Sequence, residues 1–443
     1  MTGPAWLPPD AERAVGLGFY ATATPGGGGA LKERSEDFRV TEISAYPMPD
    51  PAGPYAVLRV ASRNWEQHEL AQRIAQRLGL APHAIDWAGT KDRRAVAERL
   101  LSFRGTPPDR LDLPDVTLLE SYRARTGLVL GHHFGNAFHI RVPAEDLPLA
   151  ELGERFRGTF EALRTAGGFP NLFGLQRFGE VRPVTHLVGR DLARGDVAEA
   201  VATYLTALPE GPQAPGADAR RSYAEHRDPQ RALREFPPHF RFERQLLDHL
   251  ARGQSPDRAL RGLSRELRLL FVHAYQAWIF NRWITRRFEQ GLSLGEPEEG
   301  DMLLRVARDG TVPGTNPIPV GADNLPEALE LVRKERARLA GPLVGFETAP
   351  SRGRPGELLE LLLDEEGVTR KGFELPKAPD LASRGTWRPV QVPTPPIAQS
   401  TEVEPTDEGG ARGPGIWLSF ALPKGSYATV LLREFTKTGA RRA

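Results

Sequence analysis

The stretch IWLSFALPKGSYATVLLREF, residues 416–435, changes its hydrophobic period half-way along and therefore predicts a strand followed by a helix. Apolar side chains alternate with others in its first half, at Ile416, Leu418 and Phe420. Pro423 ends the strand because its ring has no N–H for a sheet hydrogen bond, and Ser426 is placed to cap a helix. The apolar residues of that helix share one face and are Ala428, Leu431, Leu432 and Phe435.

The rest of the chain mixes the same two periods. Alternation predicts strands within residues 30–45, around 85–87 and within 130–142. Spacing by three and four predicts a helix from Asn64 that Gly79 ends, a helix carrying Ala95, Val96 and Leu100, and a series of helices from about 190 to 290. Two segments rich in Pro and Gly, 309–326 and 376–398, are predicted to be irregular.

The composition is that of a globular protein. The chain has 443 residues, enough for two or three domains, and 40% of them are hydrophobic and 26% charged. It has no cysteine, which excludes disulfides and thiolate metal sites and fits a reducing compartment. The segment MTGPAWLPPD shows no signal peptide, and no stretch reaches the roughly 18 apolar residues of a membrane span. We therefore predict a cytoplasmic enzyme or binding protein without membrane contact.

The formal net charge of +1 neither favours nor excludes nucleic acid as a partner. Arginine, which outnumbers lysine strongly here, suits phosphate contacts and stacking on bases, although a GC-rich genome would produce the same bias. A nucleic-acid surface must therefore come from local clusters, each of which can equally be a solvated helix face. The candidates are Lys91 with Arg93 and Arg94; Arg258, Arg261, Arg265 and Arg268; Arg282, Arg286 and Arg287; and Arg433, Lys437, Arg441 and Arg442.

Asp92, in WAGTKDRRAV at residues 87–96, has two interpretations. Before a helix it would be an N-cap, accepting a backbone N–H for about 1 kcal/mol. Alternatively, a neighbouring cation and backbone N–H groups keep the carboxylate ionised, which makes it a nucleophile or electrostatic stabiliser without a metal.

Two other groups of residues are candidates for chemistry. His133 and His139 would point to the same side of one strand, as a metal pair does, but no third ligand is suitably spaced, so no metal or cofactor is predicted. FPNLFGLQRFG, residues 169–179, alternates phenylalanines with amide and guanidinium groups. That mixture suits an unstacked base, although a Phe-rich core edge would have the same composition.

Four segments, in this order, resemble those of TruD-family tRNA pseudouridine synthases: LKERSEDFRVTE (31–42), WAGTKDRRAV (87–96), PNLFGLQRFG (170–179) and FALPKGSYATVLLREFTK (420–437). Weaker similarities are LGHHFGNAFHI (130–140), HAYQAWIFN (273–281) and RGTWRPV (384–390). Together they span nearly the whole chain. The resemblance implies an α+β fold, in which a catalytic domain with a mixed sheet flanked by helices is interrupted by an inserted α/β TRUD domain. We place the catalytic domain at 1–190 and 384–443 and the insertion at 191–383.

The resemblance also implies a reaction, the conversion of uridine to pseudouridine in tRNA, typically at uridine 13. The C1′–N1 bond breaks, the uracil rotates and C5 bonds to C1′, so no cofactor is expected. The implied partner is tRNA, and no protein partner follows. Action on another RNA and a non-catalytic RNA-binding role are the alternatives.

Asp92 stands at the position of the family's essential aspartate, which either attacks the ribose or removes its proton. A carboxylate in a partly dry pocket needs a neighbouring cation, for which Lys32 is the leading candidate and Arg433 and Arg177 are alternatives. Lys91 and Arg93 are expected to contact phosphates instead. The residues expected around the uracil are Phe173 as the stacking ring, Asn171 as a partner of Asp92 or of the base, and Phe38 and Tyr427 as the pocket lining.

Overall fold

The computed structural model describes residues 6–44, 47–145, 147–179, 182–208, 215–401, 413–438 and 440–441. Its strands are β1 Trp6–Leu7, β2 Phe38–Ile43, β3 Tyr55–Arg63, β4 Asp86–Trp87, β5 Val96–Arg104, β6 Val116–Ala124, β7 Gly135–Pro143, β8 Phe169–Pro170, β9 Met302–Arg305, β10 Ile318–Pro319, β11 Ala337–Leu343, β12 Thr386–Pro389, β13 Gln391–Val392, β14 Ala398–Ser400, β15 Gly415–Pro423 and β16 Ala440–Arg441. Its α-helices are α1 Asp10–Ala14, α2 Gln67–Arg77, α3 Leu149–Thr165, α4 Thr185–Ala193, α5 Val197–Thr206, α6 Ala217–His226, α7 Pro229–Glu235, α8 Arg241–Ala251, α9 Pro256–Gly262, α10 Arg265–Glu289, α11 Leu325–Arg333, α12 Gly353–Glu365 and α13 Ala428–Thr436.

Two compact units make up the chain. The sheet unit consists of Thr24–Thr165 and Pro393–Thr438, and the helical unit of Met1–Ala23, Ala166–Val392 and Gly439–Ala443. The boundaries between these units differ from the boundaries of the predicted ranges 1–190, 191–383 and 384–443. The assignment of those ranges to a catalytic and an inserted domain stays a prediction.

The sheet unit is built on an eight-stranded sheet with the order β14-β15-β7-β2-β5-β3-β6, and β4 also pairs with β5. β2 and β5 run parallel, whereas β7 pairs antiparallel with both β2 and β15. On one face of the sheet, Leu70 and Ile74 of α2 pack against Leu58 and Leu101. This mixed sheet with packed helices confirms the predicted α+β class.

The helix predicted from Asn64 is present, but it begins at Gln67, where Glu66 accepts a hydrogen bond from the Glu69 N–H at 2.9 Å. Gly79 follows the helix at φ +67°, in the left-handed region that glycine adopts without strain. The strands predicted in 30–45, 85–87, 130–142 and 416–423 are also confirmed.

The helix predicted to carry Ala95, Val96 and Leu100 is wrong, because Val96–Arg104 is strand β5. Arg59 and Glu98 form an ion pair on one side of this strand, while Ala97, Arg99 and Leu101 are buried on the other. Because a charged residue, Arg99, occupies one of the buried positions, the sequence does not show the apolar alternation that is typical of a strand. Its guanidinium donates to Gln67 Oε1 at 2.6 Å, and burial lowers the pKa of Arg99 to about 10.

Two smaller predictions are also corrected. The N-cap of α13 is Tyr427 rather than Ser426, and no side chain caps that helix. The segments rich in Pro and Gly contain β10, the start of α11, β12 and β13, so they are not wholly irregular. Proline occurs in these short strands because few of their N–H groups are needed for pairing.

The helical unit centres on α10, whose predicted face is buried at Ala274, Ala277 and Ile284 and half-buried at Leu270. An antiparallel sheet of order β10-β9-β11-β12 lies in the same unit. Arg287 of α10 forms a bidentate ion pair with Asp301, at 2.7 and 2.8 Å, and both side chains are fully buried. The pair joins the end of α10 to the chain that enters β9.

Replacing Asp301 with asparagine is expected to lower the free energy of unfolding by about 3–5 kcal/mol, because Arg287 would keep a buried charge without a counterion. Urea unfolding followed by circular dichroism measures this. Glu330→Gln is the control, since it breaks an exposed pair with Arg333 and should change stability by less than about 1 kcal/mol. Equal urea midpoints for the two variants would contradict a stabilising role for the buried Arg287–Asp301 pair.

Candidate active site

Asp92 lies in an irregular loop, residues 88–95, that joins β4 to β5. A strand follows this loop, so the alternative of a helix N-cap is wrong. Asp92 Oδ2 lies 3.2 Å from Lys32 Nζ, and the two side chains are 31% and 12% exposed. Asp92 is therefore open to a ligand and paired with a cation at the same time.

The sheet topology explains why these two residues meet. β2 and β5 are parallel neighbours, with Arg39 opposite Val96, so the N-terminal ends of both strands lie side by side. Lys32 precedes β2 and Asp92 precedes β5. Two segments that are distant in sequence thus enter neighbouring strands at the same end of the sheet.

Phe38 provides a second contact for Lys32. The ammonium nitrogen lies 4.4 Å from the centre of the Phe38 ring, within the range of a cation–π interaction. The ring itself is buried and meets Phe138 edge-on, with 6.0 Å between ring centres. Lys32 is therefore held between a carboxylate and an aromatic face, which limits the positions its charge can take.

Lys91, next to Asp92, points into the protein. Its ammonium lies 2.6 Å from Glu42 Oε2, and the two side chains are only 2% and 1% exposed. The prediction that Lys91 contacts phosphates is therefore wrong, whereas Arg93 is exposed. Burial lowers the pKa of Lys91, and the charge of Glu42 opposes that effect. Lys91 and Asp92 are neighbours in the sequence, and they pair with Glu42 and Lys32, which lie at or near the two ends of the segment 31–42.

The beginning of the loop is fixed by the segment before β7. The Gly131 N–H donates to the Ala88 carbonyl at 2.7 Å. A Cβ at Gly89 would lie 2.8 Å from a ring carbon of His133, so only glycine fits there. His133 precedes β7 while His139 lies within it, hydrogen-bonded to Ser419 at 2.7 Å, so they are not the same-side pair of one strand. Burial, followed by the charge of Lys91, lowers the pKa of His133.

Two further predicted residues, Tyr427 and Arg433, belong to the sheet unit. Tyr427 is half-buried at the start of α13, and Arg433 is buried within that helix, 3.6 Å from Glu434. Lys32, the leading candidate, is in contact with Asp92 at 3.2 Å.

Asn171, Phe173 and Arg177 lie together in the helical unit. Asn171 donates to the Pro389 carbonyl at 2.9 Å and accepts from Arg388 at 2.7 Å. Guanidinium groups lie over the Phe173 ring, with 4.1 Å from the ring centre to Arg388 and 5.7 Å to Arg177. Phe173 is only 6% exposed, so these contacts fix its position tightly.

Sequence reasoning missed Arg388 and Asn281. Asn281, fully buried in α10, accepts from the Phe173 N–H at 2.8 Å and donates to the Phe173 carbonyl at 3.0 Å. Both residues lie in the weaker similarities, HAYQAWIFN and RGTWRPV. Those two segments were the only signal in the sequence that could have identified them.

Several members of the basic clusters form internal contacts. Arg268 lies 2.9 Å from Asp380, Arg287 pairs with Asp301, and Arg286 pairs with Glu365. Lys437 is buried and donates to the Glu434 carbonyl at 2.8 Å, and burial lowers its pKa to about 8. These side chains are therefore not free phosphate ligands. Arg442 lies outside the described residues.

Within the described ranges, no three His, Asp or Glu side chains are grouped so that they could hold a metal ion. Among the helices that the structure describes, none is long and apolar enough to cross a bilayer.

Comparison with known proteins places this arrangement in a family. The family profile of tRNA pseudouridine synthase D (TruD) matches residues 14–435. The chain belongs to the TruD family. A protein named probable tRNA pseudouridine synthase D from Methanococcoides burtonii is 35% identical over 97% of this chain and 98% of its own length. A similarly named protein from Archaeoglobus fulgidus is 36% identical over 96% of this chain and 99% of its own.

Fold similarity agrees with the TruD assignment. A crystal structure of a Methanosarcina mazei protein described as 'putative tRNA pseudouridine synthase D (TruD)' has a TM-score of 0.81, 32% sequence identity and 99% coverage of both chains. The mixed sheet described above therefore has the pseudouridine synthase fold. As a TruD-family member, the chain is an isomerase.

Proposed function

We propose that this protein converts uridine to pseudouridine in tRNA, at uridine 13, through Asp92 and without a cofactor. The supporting observation is the 3.2 Å ion pair between Lys32 and the partly exposed Asp92 in a loop held by buried contacts. Either chemical route uses a carboxylate oxygen of Asp92, and Lys32 lies where its charge opposes that of the carboxylate.

The reaction is an isomerisation, so its atoms balance without a second substrate. Asp92 either attacks C1′ or removes a ribose proton, and in both routes the C1′–N1 bond breaks. The uracil rotates, C5 bonds to C1′, the C5 proton is lost and N1 gains a proton. In the resting site, the charge of Lys32 opposes that of the Asp92 carboxylate and holds the carboxylate in a fixed orientation. The reacting oxygen therefore stays aligned with the ribose.

The uracil is proposed to contact Phe173, Asn171, Phe38 and Tyr427. Phe173 is the stacking ring, and a stacked base would replace the guanidinium of Arg177, which is the more distant of the two cations over that ring. Arg388 would stay in place, because Asn171 also binds it. Base–aromatic stacking contributes about 1–3 kcal/mol per base.

The test uses purified protein and tRNA transcripts, with pseudouridine mapped by mass spectrometry. We expect one pseudouridine, at position 13, and none in a transcript that carries cytidine there. Pseudouridine at other positions, or only in other RNAs, would overturn the choice of substrate. Tight RNA binding with no pseudouridine would overturn the enzymatic role in favour of an RNA-binding protein.

A further inference from the structure

Four exposed apolar side chains lie at one corner of the sheet unit, and we refer to them as the apolar corner. They are Ile43, Val129, Leu130 and Phe134, which are 39%, 51%, 70% and 40% exposed. Three belong to the segment before β7, and the Phe134 N–H donates to the Ile43 carbonyl at 3.0 Å. Exposed apolar side chains that cluster in this way mark contact surfaces.

The apolar corner is tied to the loop that carries Asp92. Gly131, between Leu130 and Phe134, donates its N–H to the Ala88 carbonyl at 2.7 Å. Asp92 is four positions after Ala88, so at most about 14 Å of extended chain lies between them. His133 packs against Gly89 in the same loop. Any molecule that contacts the corner is therefore close to the proposed site.

Lys424 both braces the corner and adds charge to it. Its Nζ donates to the Gly131 carbonyl at 2.7 Å and its backbone N–H to the Phe134 carbonyl at 2.9 Å. Its side chain is exposed. A cation beside an apolar protrusion suits nucleic acid, where phosphates flank a stack of bases.

We propose that the apolar corner acts as a wedge on the substrate tRNA. Its side chains enter the base stack of the RNA when the target uridine turns out toward Asp92. This inference rests on the proposed function. A uridine stacked in a helix hides the atoms that must react, so it has to leave the stack. Proteins that open stacked nucleic acid insert apolar side chains between bases, and Leu130 and Phe134 are the exposed side chains of that type here.

The experiment compares two tRNA transcripts. In one the target uridine is base-paired in a stem, and in the other the opposite nucleotide is changed so that the uridine cannot pair. The tested protein carries Leu130→Ser and Phe134→Ser together. A second variant, Leu130→Met, keeps an apolar side chain. The matched control is Leu119→Ser, because Leu119 is an apolar residue of β6 in the same unit and is 49% exposed.

We expect the double variant to lose at least about tenfold in kcat/KM on the paired transcript and less than about twofold on the unpaired one. Leu119→Ser should behave like the parent protein on both, and Leu130→Met should lose less than the double variant on the paired transcript, because it keeps an apolar side chain. Equal losses on the two transcripts would overturn the wedge, because a folding defect would produce them. No loss on either would also overturn it and would favour a protein partner for this corner. If the parent protein forms no pseudouridine in either transcript, the proposed function itself has failed and the wedge is excluded with it.

Discussion

An Asp92→Asn protein is expected to bind tRNA as tightly as the parent protein and to form no pseudouridine. Asparagine fills the same space but carries no negative charge, so it can neither attack the ribose nor remove its proton. Removing a group that reacts directly lowers kcat by roughly 10³-fold or more. Single-turnover assays with excess protein measure the chemical step, and filter binding measures affinity.

Asp86→Asn is the matched control for Asp92→Asn. Asp86 lies six residues earlier, in β4, and is exposed. We expect near-parent turnover from it. Turnover at a tenth of the parent rate in Asp92→Asn would count decisively against a nucleophile or base at this position.

The second large effect is expected from Glu42→Gln. This change leaves Lys91 charged, almost wholly buried and without its partner 2.6 Å away. Breaking a buried ion pair from one side costs about 3–5 kcal/mol of stability. Because Lys91 adjoins Asp92, we also expect kcat to fall while KM for tRNA stays the same, since the buried pair cannot touch RNA.

The stability of Glu42→Gln should depend on pH in a defined direction. Burial already lowers the pKa of Lys91, and removing Glu42 removes the charge that opposes this effect. The unfolded chain then binds more protons than the folded one below the ordinary lysine pKa of about 10.4, so stability rises with pH toward that value. Urea midpoints from pH 7 to 10 measure the slope.

Glu98→Gln is the control for that slope, since it breaks the more exposed Arg59–Glu98 pair on the neighbouring strand. We expect a change below about 1 kcal/mol and no new pH dependence. A flat pH profile and unchanged kcat for Glu42→Gln would show that Lys91 is not held by charge.

The sequence indicated the Lys32 and Asp92 segments but not the strand that follows Asp92. Local spacing favoured a helix after Asp92, whereas residues Val96–Arg104 form a strand because they pair with β2 and β3. Strand pairing depends on distant partners, and the buried Arg99 concealed the alternation. Propensity cannot overcome that kind of tertiary influence.

The aromatic part of the candidate site was predicted only in outline. FPNLFGLQRFG indicated Phe173, but the groups that hold its ring, Arg388 and Asn281, come from β12 and α10. Likewise Lys91 was expected to contact phosphates, because no local pattern indicated its buried ion pair with Glu42. Each error has the same cause, since a partner that is 49 residues away, or 108 residues away, leaves no local pattern in the sequence.

The place of β15 in the sheet affects how the chain is made. β7 pairs along its whole length with Gly415–Pro423, which the ribosome produces only after the segment Ala166–Val392 of the helical unit. Until then β7 has one open side, with Ile140 and Val142 among its apolar residues, and open strand edges invite association with other chains. The nascent protein therefore carries an open strand edge while Ala166–Val392 is made, and the length of that interval is set by strand order.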